Sequence, residues 1–218
     1  MINEYSGLLN STGDSLYDNT GNQRPAKYSD VIKAAEKFDA KYAVAFNSGT
    51  STLHAALEAC KVQEGDEVIS PALSVIMDTT ATIHANAIPV YADVNPDTFT
   101  VDPEDIRRKI TSRTKAIIAV HLYGNLCDMD ALRAIGNQYG IPIVEDSAEA
   151  LGSQWHGQRA GSMGSFGTFS FHGTKTITTG EGGMFVTQDD DLFEKVGIKI
   201  KDFVVSLSPV SRQPYKVW

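Results

Sequence analysis

The run Lys115–His121, KAIIAVH, constrains this chain most. A strand wetted on one face alternates polar and apolar residues, whereas a near-continuous apolar run is covered on both faces, as in a parallel sheet. Its neighbours keep the same rhythm. Tyr42–Phe46, Glu67–Ser70, Ile88–Ala92, Ile141–Val144, Thr168–Phe171 and Gly183–Thr187 read as strands. Helical spacing falls between them, at Leu53–Cys60, Ser74–Asn86, Pro103–Ile110 and Asp128–Tyr139. Asp102 caps a helix with Pro103 at its first position, and Gly140 ends the next one. Upstream, Ser29 caps a helix carrying Val31, Ile32, Ala35 and Phe38 on one face. Strands alternating with helices predict an α/β fold, a mostly parallel sheet with flanking helices. Trp155-His156-Gly157 reads as a hairpin turn without chemistry.

The organisation follows from composition along the chain. Residues 1–28 are polar and turn-rich, an N-terminal arm. Residues 29–196 hold the alternating pattern and form one domain. Residues 197–218 break the rhythm as a divergent tail.

Several classes are excluded. A formal net charge of −8 argues against a nucleic-acid surface and gives no attraction to anionic membranes. Cys60 and Cys127 make no disulfide framework, and the five histidines show no metal-ligand spacing. The N-terminus lacks the basic and apolar regions of a signal peptide, and no apolar run reaches the roughly 18 residues of a membrane span. The expected location is the cytoplasm.

Three polar clusters follow strands, and a parallel sheet brings its ligand to the carboxyl ends of its strands. In Asn47–Ser51 a glycine precedes a helix, so Gly49, Thr50 and Ser51 offer backbone amides and hydroxyls to an anion, or else only cap the helix. Glu145-Asp146 ends a buried strand, where a carboxylate needs a partner: a protonated ring nitrogen or a structural ion pair. Gly167–Met184, GTFSFHGTKTITTGEGGM, runs from a strand into a Gly/Thr-rich loop with one lysine, Lys175. Such an amine suits Schiff-base chemistry, and the alternative is a solvated surface lysine. A Walker loop fails on spacing, because Thr174 separates Gly173 from Lys175. A phosphate cradle, an acidic strand end and a loop lysine together match pyridoxal 5′-phosphate (PLP).

With these residues in hand, the chain resembles the DegT/DnrJ/EryC1/StrS sugar aminotransferases, within the fold type I, aspartate aminotransferase-like class. The likeness runs from about Phe38 to about Val196. It is carried by YAVAFNSGTSTLHAAL, GDEVISP, IPVYADVNPDTFTVDPEDI, IPIVEDSAEALGS and GTFSFHGTKTITTGEGGM. The last two are most like perosamine-synthase-type enzymes, which aminate a 4-keto-6-deoxy sugar on a nucleotide.

The resemblance implies that residues 29–196 are a PLP-binding large domain and that glutamate is the amino donor. It implies that Lys175 carries the cofactor as a Schiff base and shuttles the proton. Asp146 would pair with the pyridine nitrogen, Glu149 would contact the 3-hydroxyl, and Ala148 would pack on the ring. Thr50, the Ser51 amide and Ser170 would hold the phosphate. Lysine rather than histidine at the Schiff-base position favours transamination over 3-dehydration. A nucleotide sugar, an amino-acid donor and a second copy in a homodimer are the expected partners. Two departures stand out. Val75 occupies the place of an aromatic on the cofactor's outer face, and the small domain expected of the family is not evident after Val196. A truncated, non-catalytic remnant that binds cofactor or a partner is the rival reading.

Overall fold

The computed structural model describes residues 35–193 and the backbone strand 206–207. The alternation of buried side chains along the central strands builds its layers. On strand β2 (Glu67–Pro71) Val68 packs to one side and Ile69 to the other. Ile118 and Ile117 divide in the same way on β4 (Thr114–Val120), and Val144 and Ile143 on β5 (Ile143–Asp146). A strand presents successive residues to opposite faces, so apolar runs of this kind demand a helix layer on each side.

One layer comes from α1 (Gly49–Ala59), which buries Leu53, Ala56 and Leu57 against Val68, Ile118, Val144 and Phe166. α2 (Met77–His84) adds Ala81. On the other face, α3 (Pro103–Lys109) contributes Ile106, and α4 (Met129–Tyr139) contributes Met129, Leu132 and Ile135. Both helices start on carboxylate caps: Asp102 accepts the Glu104 amide and Asp128 the Ala131 amide, each at 2.9 Å. α4 stops where Gly140 turns left-handed, at φ 68°.

The main sheet also contains β1 (Tyr42–Phe46), β3 (Ile88–Ala92), β8 (Phe166–Ser170), β9 (Gly183–Thr187) and β10 (Ser206–Leu207), in the order β10-β1-β9-β8-β5-β4-β2-β3. The pairs β2–β3, β2–β4, β4–β5 and β5–β8 are parallel. β9 is antiparallel to both β8 and β1, so β1 runs with the parallel set. A mostly parallel sheet with flanking helices is therefore the fold, as the strand–helix alternation predicts. A separate hairpin, β6 (Gln154–Trp155) and β7 (Gln158–Arg159), turns at His156 and Gly157, both at positive φ.

β1, β3 and β9 coincide with their expected bounds, whereas α2 does not reach from Ser74 to Asn86. It begins at Met77, and the residues before it line the site. Thr80 and Thr82 turn their hydroxyls onto the carbonyls of Ile76 and Asp78, a local competition that keeps such threonine-rich helices short. α1, by contrast, starts at Gly49 rather than Leu53, because the Ser48 hydroxyl accepts the Ser51 amide as a cap. The N-terminal arm 1–28, the start of the Ser29 helix and most of the tail 197–218 lie outside the described residues; 35–37 are helical.

Candidate active site

A cavity of about 440 Å³ opens where the sequence places its three polar clusters. Four pieces of chain build it: the start of α1, the ends of β4 and β5, the end of β8 with the loop after it, and the segment before α2. It lies at the carboxyl ends of parallel strands, as expected for this sheet type. Its size is that of a cofactor or small-molecule site.

Lys175 reaches the cavity from the loop between β8 and β9. Its Nζ donates to Glu149 Oε1 at 3.0 Å, and both side chains are largely buried, at 17% and 22% exposure. The other Glu149 oxygen, Oε2, accepts the amide of Tyr123 at 3.1 Å. Tyr123 holds a left-handed backbone, φ 53°, to present that amide. Lys175 is thus neither solvated nor loose.

Asp146 is the last residue of β5 and lines the cavity. Its Oδ1 accepts the Ala148 amide at 2.9 Å. Burial raises its pKa, against the lowering effect of that amide, of Asp78 and of the positive charge on Lys175. Its neighbour Glu145 points the other way. Glu145 accepts the amides of Gly161 at 2.8 Å and Met163 at 2.6 Å, and also that of Gly164. It also meets His121 Nε2 at 2.9 Å, with both side chains fully buried. Burial opposes a charged His121, whereas the Glu145 carboxylate favours one. The Cys127 amide, aimed at Nδ1 from 3.2 Å, opposes a proton on that nitrogen. We therefore assign the neutral ring with its hydrogen on Nε2, donating to Glu145. Of the two carboxylates at this strand end, Glu145 is the structural pair and Asp146 the one that faces the cavity.

The start of α1 fits an anion. The first-turn amides of an eleven-residue helix have no partner within the helix, and the helix dipole adds to their pull. Ser48, Gly49, Thr50 and Ser170 all line the cavity here. The strand and helix touch closely. A Cβ built on Gly49 would stand 2.7 Å from Ser170 Cβ and 3.1 Å from Ser170 Oγ. Ser51 is the one expected site residue that the lining lacks. Its amide is taken by Ser48 Oγ at 3.2 Å and its hydroxyl donates to Asn47 Oδ1 at 2.8 Å. The structure thus brings Gly49, Thr50, Asp146, Ala148, Glu149, Ser170 and Lys175 to one cavity, and Ser51 is not part of its lining. Ser74, His121 and Thr168 also line it, without a signal in sequence spacing. Val75 stands in the wall, 46% exposed. Among the described residues no cluster of acidic, histidine or cysteine side chains is arranged to hold a metal, and no helix is long and apolar enough to cross a membrane.

Gly49→Ala tests the cradle. The new methyl has no room beside Ser170, so the helix start must shift or Ser170 must turn away. We expect the dissociation constant for PLP to rise by on the order of tenfold, about 1.4 kcal/mol, with a folded circular-dichroism spectrum. Unchanged affinity in a PLP titration would show that the phosphate lies elsewhere.

Sheet order, a lysine loop and a helix start meet at one carboxyl edge, in the fold shared by the PLP-dependent transferases. The chain belongs to the DegT/DnrJ/EryC1/StrS aminotransferase family, whose pattern matches residues 31–204. It is 47% identical over 156 residues to GDP-perosamine synthase of Caulobacter vibrioides, covering 72% of this chain and 42% of that protein. It is 45% identical over 155 residues to L-glutamine:2-deoxy-scyllo-inosose aminotransferase of Streptomyces fradiae, covering 71% of this chain and 37% of that one. Among solved structures, NtdA of Bacillus subtilis with bound cofactor PMP superposes with a TM-score of 0.75 at 32% identity, covering 89% of this chain and 44% of that one. The chain therefore spans less than half the length of these relatives.

The residues present fit PLP. The cavity offers anion donors at the start of α1, a half-buried acid at the end of β5 and a largely buried amine bonded to a carboxylate.

Proposed function

We propose that this chain supplies the cofactor-binding part of an aminotransferase acting on a 4-keto-6-deoxy sugar carried on a nucleotide, with glutamate as amino donor. The observation that carries the reading is the placement of Lys175, Asp146 and the start of α1 around one cavity. The likeness to a GDP-perosamine synthase supports the sugar class.

Bound PLP supplies an electron sink for cleaving the bond between an amino acid's α-carbon and its hydrogen. Each residue's share follows from its surroundings. The α1 amides, Thr50 and Ser170 bind the phosphate. Asp146, half-buried and accepting the Ala148 amide, would hold a proton on the ring nitrogen. Ala148 packs on one ring face. Glu149 holds the Lys175 amine at 3.0 Å and would accept a hydrogen bond from the ring hydroxyl. Lys175 would supply the amine that holds the cofactor and the group that carries a proton to or from the substrate carbon. A second copy, in a homodimer, is the partner expected of a full-length family member.

The test is an amination assay on purified protein supplied with PLP. It compares nucleotide-linked 4-keto-6-deoxyhexoses with 2-deoxy-scyllo-inosose, each with glutamate and with glutamine. We expect turnover with the nucleotide sugars and glutamate. Turnover confined to the free cyclic ketone would move this chain to the other substrate class.

A further inference from the structure

A second acid stands behind Asp146. Asp78, in the first turn of α2, is 2% exposed. Its Oδ2 accepts the hydroxyl of Ser74. Its Oδ1 is buried with no hydrogen-bond partner among the described groups. A buried carboxylate oxygen without a donor costs several kcal/mol, so an ionised Asp78 is poorly supported here.

The surroundings of the pair agree. Burial raises the pKa of Asp78 well above the usual carboxylate range, and the negative charge of Asp146 raises it further; the Ser74 hydroxyl and the Lys175 charge oppose this. Asp146 has the better support as an anion, with the Ala148 amide at 2.9 Å and Lys175 across the cavity. His121, the remaining titratable group beside Asp146, is engaged with Glu145 and Cys127. Asp78 is dry and its Oδ1 has no donor, whereas Asp146, half-buried on the cavity wall, has the Ala148 amide; of these two touching carboxyl groups the one with fewer donors keeps the proton.

We propose that Asp78 is a positioning residue: its carboxyl group, in the acid form, donates from Oδ1 to Asp146 and holds that carboxylate toward the ring nitrogen. The proton satisfies the orphan oxygen and turns a repulsive pair into a hydrogen bond. Because the acid is neutral, the ring nitrogen still faces one net negative charge. The donation also stabilises Asp146 as an anion at neutral pH, the form that keeps a pyridine nitrogen protonated. The inference rests on the PLP reading only for its last step, since the pairing itself belongs to the protein without cofactor.

The test reads both levels. Carbon-13 spectra of aspartate-labelled protein without cofactor, titrated from pH 4 to 9, should show one carboxyl still protonated at pH 7, and that signal should vanish in Asp78→Asn. Asp78→Leu removes the donor, so the Asp146 titration should move up by about one pH unit or more, and the dissociation constant for PLP should rise about tenfold. Asp78→Asn keeps an amide donor and should restore both to within about threefold of wild type. A purely structural role predicts equal damage from both variants, with no rescue by Asn. The proposal is overturned if no aspartate is protonated at pH 7, if Leu leaves the Asp146 midpoint unmoved, or if Asn behaves as Leu does. Should the Leu variant not fold, the wild-type and Asn titrations decide alone. A wild-type protein that shows the protonated carboxyl yet binds no PLP would count against the functional reading and not against the pairing.

Discussion

Lys175→Ala should abolish covalent attachment of PLP and lower transamination about 10³-fold or more. Two losses combine. The first is the amine that forms the bond to the cofactor's carbonyl carbon. The second is the base that moves the proton at the substrate carbon, a contribution typically of 10²–10⁴-fold by itself. The structure sharpens the expectation, because Lys175 is held by Glu149 at 3.0 Å rather than waving in solvent. Borohydride treatment of the loaded wild-type protein should bleach the visible band and fix the cofactor to the peptide carrying Lys175. The variant should bind PLP reversibly and retain no label. Label on another lysine, or a variant within tenfold of wild-type rate, would remove Lys175 from the chemistry. Lys175→Arg should fare no better, because a guanidinium stays protonated and is no nucleophile.

Asp146→Asn should leave the fold intact and raise the barrier by several kcal/mol, on the order of 10²–10⁴-fold in rate. The amide keeps the size of the side chain and can still accept the Ala148 amide, so α1, β5 and the cavity wall have no reason to move. What disappears is the charge that keeps the ring nitrogen protonated, and with it the electron sink. Burial makes that charge effective, since the same carboxylate in water would act through a far higher dielectric. The loaded variant's absorption spectrum should shift as the ring loses its proton. Single-turnover rates close to wild type would sink this assignment. The Asp78 pairing predicts a coupled effect: with Asn at 146 the acid at 78 loses its anionic neighbour, and its titration should fall toward the ordinary range.

Much of this architecture is legible in residue patterns, for identifiable reasons. KAIIAVH has to be covered on both faces, and in the structure Ile117 and Ile118 bury into opposite helix layers. The cap at Asp102 and the stop at Gly140 are local chemistry, so they read directly, whereas Asp128 proves to be a cap rather than the first helical residue. Lys175, Asp146 and the Gly49-Thr50 turn are legible because each follows a strand of a parallel sheet. Three features are not. The Ser51 amide donates to the Ser48 hydroxyl, a cap that the spacing Ser-Gly-Thr-Ser cannot distinguish from an anion donor. The His121–Glu145 bond joins residues with no sequence signal in common, and it decides which of two adjacent acids is structural. Asp78 sits in a threonine-rich helix whose pattern gives no hint that Asp146 lies beside it.

The pleat at the end of β5 has a wider consequence. Glu145 and Asp146 are adjacent in the chain but belong to different economies of change. Glu145 ties the turn at Gly161, Met163 and Gly164 to the sheet, and a Cβ on Gly164 would meet Ile143 O at 2.6 Å. That turn acts as a ratchet tooth on the strand. A slip of one residue would present Glu145 to the cavity and Asp146 to the turn, where the shorter side chain falls short of the three amides. The site is thus guarded against sliding by a residue that never touches it. Drift at Glu145 should register first as misplacement of Asp146, long before the fold is lost.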